Sequence, residues 1–354
     1  MQQAAGNRAR FDRTPSPRYI RAVHAITVDR PGDESVLKIS RLPSPQPAHG
    51  ELKIQVAAAG VNRADLLQRR GLYPPPPGAS PLLGLECAGT VTEVGEGVNR
   101  FRPGERVMAL LSGGGYAEEV VAPEPCTMAV PTPFTDAEAA AVPEVFLTAF
   151  LNLFLIAGLK RNETALVHGG SGGVGTASIQ LVRRAGARVI VTAGSDERCQ
   201  RCEELGASHA VNYRRNDFGA AVLELTENRG VDVVLDCIGG AYFETHLNVL
   251  APGGRMVLIG LQGGAGASID LAKLLRRRLT LTGSTLRSRP IAEKGRIVRE
   301  FTKRFGPDLD RGDISPVLDR TLPLGSAEEA HRLLAAGEIF GKIVLTTNKL
   351  QESP

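Results

Sequence analysis

The chain lacks any apolar run long enough to cross a membrane; its most apolar stretch, Val142 to Gly158, is interrupted by Pro143 and Glu144. It has little cysteine. The five present, Cys87, Cys126, Cys199, Cys202 and Cys237, are scattered and odd in number, which argues against a disulfide scaffold and for a reducing compartment. Net charge is absent from the body. Residues 1–21 hold five arginines and one aspartate, which accounts for the whole formal charge of +4. Out of totals of 42 basic and 38 acidic residues, 37 of each remain in the rest. That balance excludes a globally basic nucleic-acid-binding body, so neither nucleic acid nor a membrane is an expected partner. No segment repeats, and the first residues lack the apolar core of a secretory signal. Residues 1–19, with Pro15-Ser16-Pro17, are expected to be a disordered, solvated tail on a cytoplasmic protein. Their arginines and single acid also fit a mitochondrial transit peptide, which is the alternative.

Glycine (40) and proline (23) are plentiful, which suits many turns. A length of 354 residues suggests two domains. From Ile20 to about Pro131 short strands alternate with turn clusters, as in Leu52–Val56, Gly89–Val94 and Arg106–Leu110. Asp136 to Leu159 reads as one or two helices, with Asp136 as a cap and Pro143 as a break. Six strands then alternate with helices: Thr164–Val167, Arg188–Thr192, Ala210–Asn212, Val231–Asp236, Arg255–Ile259 and Leu279–Thr282. The expected fold class is α/β, a β-rich domain plus a doubly wound parallel six-stranded sheet. The expected boundaries are 20–145 for the β-rich domain, 146–318 for the parallel sheet, and 319–354 for a return to the first domain.

The segment His168 to Gly175 stands between a short apolar strand and a helix ending at Gly186. It holds G-x-G-x-x-G as Gly170, Gly172 and Gly175. In that context the glycines permit a tight turn and close approach to a pyrophosphate, and the helix offers free N–H groups to it. His168 is expected to pack at the strand end. The C-x-x-C pair Cys199 and Cys202 has no second pair and is expected to be two neighbours on a helix.

Together these residues resemble the medium-chain dehydrogenase/reductase superfamily. Three motifs resemble its zinc-free quinone oxidoreductase branch, the zeta-crystallin-like proteins: Gly60-Val61-Asn62-Arg63-Ala64-Asp65 with Gly71-Leu72-Tyr73-Pro74, then Gly84-Leu85-Glu86-Cys87-Ala88-Gly89, and the glycine loop. Further segments, including Ala141-Val142-Pro143-Glu144, Leu235 to Gly240 and Leu286-Arg287-Ser288-Arg289, are similar to the tumour-suppressor-inducible quinone oxidoreductases. The resemblance implies a GroES-like catalytic domain and a Rossmann domain. In zinc alcohol dehydrogenases of the superfamily a Cys stands where Asn62 is and a His where Leu85 is, so no metal is expected. A quinone, already electrophilic, needs hydrogen bonds to its developing charge rather than a metal.

Asn62 and Tyr73 are the implied catalytic residues. The implied cofactor contacts are Thr148, Gly170, Ser171, Gly172, Gly173, Val174, Gly175, Gly194, Ser195, Arg198, Tyr213, Leu286 and Arg287. NAD-preferring folds carry an acid at the end of the second strand. Here Thr192-Ala193-Gly194-Ser195 is small and neutral, so NADPH is the expected cofactor, with Asp196 and Glu197 as the counter-indication. The implied function is NADPH-dependent quinone reduction by a homodimer that pairs through Ala267 to Leu271. The alternatives are a 2-enone or enoyl reductase and a non-enzymatic, crystallin-like nucleotide- or RNA-binding protein.

Overall fold

Leu52, Ile54 and Val56 alternate along the chain, and all three are buried. They belong to the central strand of the first domain, Glu51–Gly60. The computed structural model describes residues 21–347; the tail expected over 1–19 and the end of the chain beyond 347 lie outside those residues. Glu51–Gly60 pairs antiparallel with Glu86–Val94 along one side. On the other side it pairs with Glu119–Pro123 and then with Lys342–Thr346. Lys342–Thr346 runs parallel to Leu318–Pro323. The end of the chain therefore completes the sheet of the first domain.

The segment linking the domains is helical in pieces: Asp136–Ala139, Pro143–Phe150 and a π-helical turn, Leu151–Ile156. The first cap is Thr135, not Asp136. Thr135 Oγ1 accepts from Glu138 N, and Glu138 Oε2 accepts from Thr135 N, the reciprocal box that stabilises a helix start. By length and composition Asp136–Ile156 is apolar enough to cross a membrane, which corrects the count made on sequence. It is mostly buried instead. Phe146 and Phe150 pack against Phe301, the latter with ring centres 5.6 Å apart, and one apolar cluster runs through both domains.

The second domain holds six parallel strands: β1 Thr164–His168, β2 Arg188–Ala193, β3 His209–Asn212, β4 Val231–Asp236, β5 Leu250–Leu258 and β6 Thr280–Gly283. Their order is β3-β2-β1-β4-β5-β6, the doubly wound order in which ligands sit where it reverses, between β1 and β4. Two expectations are corrected. β5 begins at Leu250, not Arg255, with a register irregularity against β4. Ala267 to Asp270 is not a strand, and Leu271 starts a helix, Leu271–Arg277, whose cap Asp270 accepts from Lys273 N at 3.0 Å. Leu, Ala, Lys and Arg are strong helix formers behind a good cap.

Candidate active site

The switch point between β1 and β4 is closed by two turns that touch. After β1, Gly169 adopts φ +68°, and Gly170 N donates to Thr192 O at 2.9 Å. A Cβ on Gly170 would meet Val191 at 2.6 Å, and one on Gly175 would meet Gly169 O at 2.2 Å. The two glycines are therefore needed for packing of loop, sheet and helix. The helix Gly173–Arg184 starts inside the motif, earlier than its apolar pattern suggested. Its cap Gly172 has no side chain to satisfy the first N–H groups, and a Cβ at Gly172 would meet nothing closer than 3.4 Å. Such an open helix N-terminus suits a pyrophosphate. After β4, Asp236 Oδ1 accepts from Ile238 N and Gly239 N, and Cys237 Sγ lies 3.7 Å from His168 O.

The first domain reaches this loop from the other side. Gly341 N donates to Ser171 O at 2.8 Å. Cβ atoms built on Gly173 would meet Lys342 Cδ at 2.6 Å and Val145 Cγ1 at 2.9 Å. Thr148 lies one turn beyond Val145 on the same helix and is half-buried.

At the end of β2, Ser195 Oγ accepts from Arg198 N at 3.3 Å and caps the helix Asp196–Leu205. Gly194 faces Tyr213 and Arg214: a Cβ there would lie 3.1 Å from Tyr213 Oη and 3.6 Å from Arg214 Nε. Arg198 donates to Gly337 O. Asp196 is held by Asn212 Nδ2 and Arg215. Its carboxylate, the counter-indication to a phosphate, is thus already paired. Arg214 escaped the sequence reading because nothing in its local pattern marks it as neighbour to Gly194.

On the acceptor side Asn62 is 8% exposed and its amide is committed. Nδ2 donates to Glu86 Oε1 at 2.8 Å, while Oδ1 accepts from Lys342 Nζ at 2.6 Å. Lys342 Nζ also donates to Glu86 Oε1, at 2.6 Å. Glu86 Oε2 accepts from Glu144 N at 2.8 Å. The Glu144 carboxyl itself has a buried oxygen, Oε2, with no partner. Burial, and then the neighbouring Glu86, push that carboxyl up to about 8. Tyr73 is half-buried, its ring 5.3 Å from the Arg287 guanidinium. Burial, then Glu144, raises its phenol above the usual value. Leu286 is buried and Arg287 is 3% exposed. Arg287 donates to Ser112 O, Tyr73 O and Gln68 Oε1, so its guanidinium ties the domains together rather than standing free for a cofactor.

The donor set does not fit zinc. Leu85 offers hydrocarbon, Asn62 Oδ1 is taken, and the Lys342 amine lies beside it. Cys199 and Cys202 are buried on one helix, burial raising the Cys202 thiol to about 12. The glycine cradle and the open helix end do fit a dinucleotide.

His168 is buried, as expected, but not alone. Its Nδ1 meets Thr192 Oγ1 at 2.9 Å and its Nε2 meets His246 Nε2 at 2.8 Å. His246 Nδ1 lies 3.5 Å from Asp236 Oδ2. These four residues link the ends of β2, β1 and β4 under the glycine loop.

Residues 173–302 match the zinc-binding dehydrogenase family and residues 48–133 the alcohol dehydrogenase GroES-like domain. A phenolphthiocerol/phthiocerol polyketide synthase subunit of Mycobacterium tuberculosis is 32% identical over 92% of this chain, which spans 15% of that protein's length. Among solved structures, an NAD-dependent alcohol dehydrogenase is 32% identical with a TM-score of 0.80, covering 92% of this chain and 100% of its own. The Escherichia coli quinone oxidoreductase complexed with NADPH is 28% identical, TM-score 0.80, over 91% and 99%. The CurK enoyl reductase is also 28% identical, TM-score 0.80, over 92% and 99%.

Proposed function

The chain belongs to the medium-chain dehydrogenase/reductase superfamily, in its quinone oxidoreductase branch, and from that premise we propose that it is an NADPH-dependent reductase of quinones. One observation carries the proposal: the acceptor side of the cleft offers two proton-bearing groups, Tyr73 and Glu144, and among the described residues no cluster of three His, Cys, Asp or Glu that could hold a metal ion. When bound, the nicotinamide supplies a hydride. The glycine loop and Thr148 hold the dinucleotide, and Tyr213 with Arg214 receives its 2′-phosphate. Tyr73 donates a hydrogen bond to the oxygen where negative charge develops. Glu144 holds, at neutral pH, the proton that this oxygen takes up. Asn62 acts through Lys342 and Glu86 as a positioning residue, because Glu86 fixes the backbone of Glu144.

A 2-enone or enoyl reductase is the second reading, favoured by the full-length match to an enoyl reductase. The same protons would then go to an enolate. NADPH oxidation across quinones, 2-enones and enoyl thioesters separates the two. The expected result is the highest kcat/KM for quinones, lowered about tenfold or more by Tyr73→Phe with an unchanged KM for NADPH. A preference for enoyl thioesters would establish the second reading instead.

A further inference from the structure

A cavity of about 570 Å³ is lined by residues of the first domain and by Arg287 to Ile291 and Lys294. That volume is in the range of small-molecule sites. Asn62, Tyr73, Glu144, Thr148 and the glycine loop are not among its lining residues. Arg287 is, and its guanidinium lies 5.3 Å from the centre of the Tyr73 ring.

Most of the wall is apolar, including Val23, Leu42, Pro77, Leu111, Val121 and Ile291. Two cations interrupt it. Arg287 is 3% exposed and Lys294 is 4% exposed. They sit on either side of Ser112: Arg287 Nε donates to Ser112 O at 2.9 Å, and Lys294 Nζ donates to Ser112 Oγ at 2.6 Å. Neither has a carboxylate within ion-pair distance among the described residues, whereas Glu119, on the same wall, is paired with Arg21 and Ser44. The helix Ile291–Asp310 also begins at this wall, and its cap Pro290 supplies no side-chain acceptor. Two buried cations whose bonds are all to neutral acceptors are costly to keep. An anion arriving between them would gain charge-assisted hydrogen bonds in a desolvated place. Burial lowers the pKa of Lys294, as it must for an ammonium without a counter-ion.

We propose that this cavity is a binding site for an amphiphilic carboxylate, its head between Arg287 and Lys294 and its hydrocarbon body along the apolar wall. The proposal is independent of which acceptor is reduced in the cleft. Isothermal titration of the full chain with decanoate and with 1-decanol tests it, with NADPH present and absent. Decanoate is expected to bind at least tenfold more tightly than the alcohol, and saturating NADPH is not expected to displace it. Lys294→Met keeps the length of the side chain and removes the charge. It should weaken decanoate at least tenfold and leave decanol and NADPH binding unchanged. Leu42→Glu, on the half-buried wall, should also weaken decanoate without touching either cation, and circular dichroism checks the fold of both variants. Equal binding of acid and alcohol, no binding of either, displacement by NADPH, or wild-type decanoate affinity in Lys294→Met would each overturn the assignment.

Discussion

Glu144 acquires its chemistry from residues far from it in sequence. Pro143 starts its helix, Glu86 accepts its backbone N–H from 58 positions away, and its own Oε2 is left without a partner. A carboxyl raised to about 8 keeps a proton that the unfolded chain releases above about 4.5. The contribution of this carboxyl to stability therefore falls as pH rises from about 4.5 to about 8, by an amount on the order of a few kcal/mol, and stays reduced above that. Relative to the wild type, Glu144→Gln should gain in denaturant midpoint as pH rises from 5 to 8. It should also lower kcat about tenfold or more and abolish the wild-type fall in kcat through about pH 8. An unchanged pH–rate profile in the variant would remove Glu144 from the proton path. A second residue-scale prediction concerns Ala193, which is buried at the end of β2. No acid stands there, and Tyr213 and Arg214 face the adjacent Gly194. One charge-assisted bond to a 2′-phosphate is worth about 1.5–3 kcal/mol. NADPH should accordingly exceed NADH in kcat/KM by about ten- to a hundredfold, and Ala193→Asp should reverse the order. Equal values in the wild type would show that the phosphate has no partner at this strand end.

The elements most legible in the sequence were those with a complete local signal. Val231–Asp236, apolar but for Asp232 and its last residue, and Thr164–His168, within one residue of its expected end, lie where the pattern places them. β5 was misread at its start because Ala251-Pro252-Gly253-Gly254 has the composition of a turn, although it lies within the strand. The site was legible where it is local, as in the glycine loop, and illegible where partners are distant. Lys342 reaches Glu86 across 256 positions, and Arg287 reaches Ser112 across 175. His168 shows the same limit: the sequence placed it at a strand end, but not its bond to His246, 78 positions on. Burial pushes His246 down to about 4 and His168 well below its usual value. Both are thus neutral in the fold, while an unfolded chain takes up protons below about pH 6.5. Their contribution to stability is present above that pH and is lost as pH falls toward about 4. This opposes the Glu144 contribution, so it is read in Glu144→Gln, whose urea midpoint should drop between pH 7 and pH 5, and the imidazole NMR signals of both histidines should not titrate over that interval. Titration of either signal near pH 6.5 would show that the pair is open to solvent.

At the scale of the whole molecule the six-stranded sheet presents an unfinished side. β6, Thr280–Gly283, stands last in its sheet among the described residues, with no strand beyond it. Unpaired edges invite another chain. Four large apolar side chains in the preceding segment are exposed: Leu261 at 52%, Ile269 at 40%, Leu271 at 65% and Leu275 at 78%. Leu271 and Leu275 are one turn apart and share a face of Leu271–Arg277. A monomer in water has no use for such a face beside an open edge. A two-fold axis, the commonest symmetry of assembly, would cover both at once with identical partners. The pairing foreseen through an extended Ala267 to Leu271 is therefore recast, because those residues form no strand: we propose that the edge strand and the leucine-bearing helix are the dimer contact. The protein should run as a dimer in light scattering at micromolar concentration. Leu271→Asp combined with Leu275→Asp should give a folded monomer, since both side chains are solvent-exposed in the single chain and their loss removes no core contact. A monomer mass for the wild type, or a dimer that survives the double substitution, would place the association surface elsewhere.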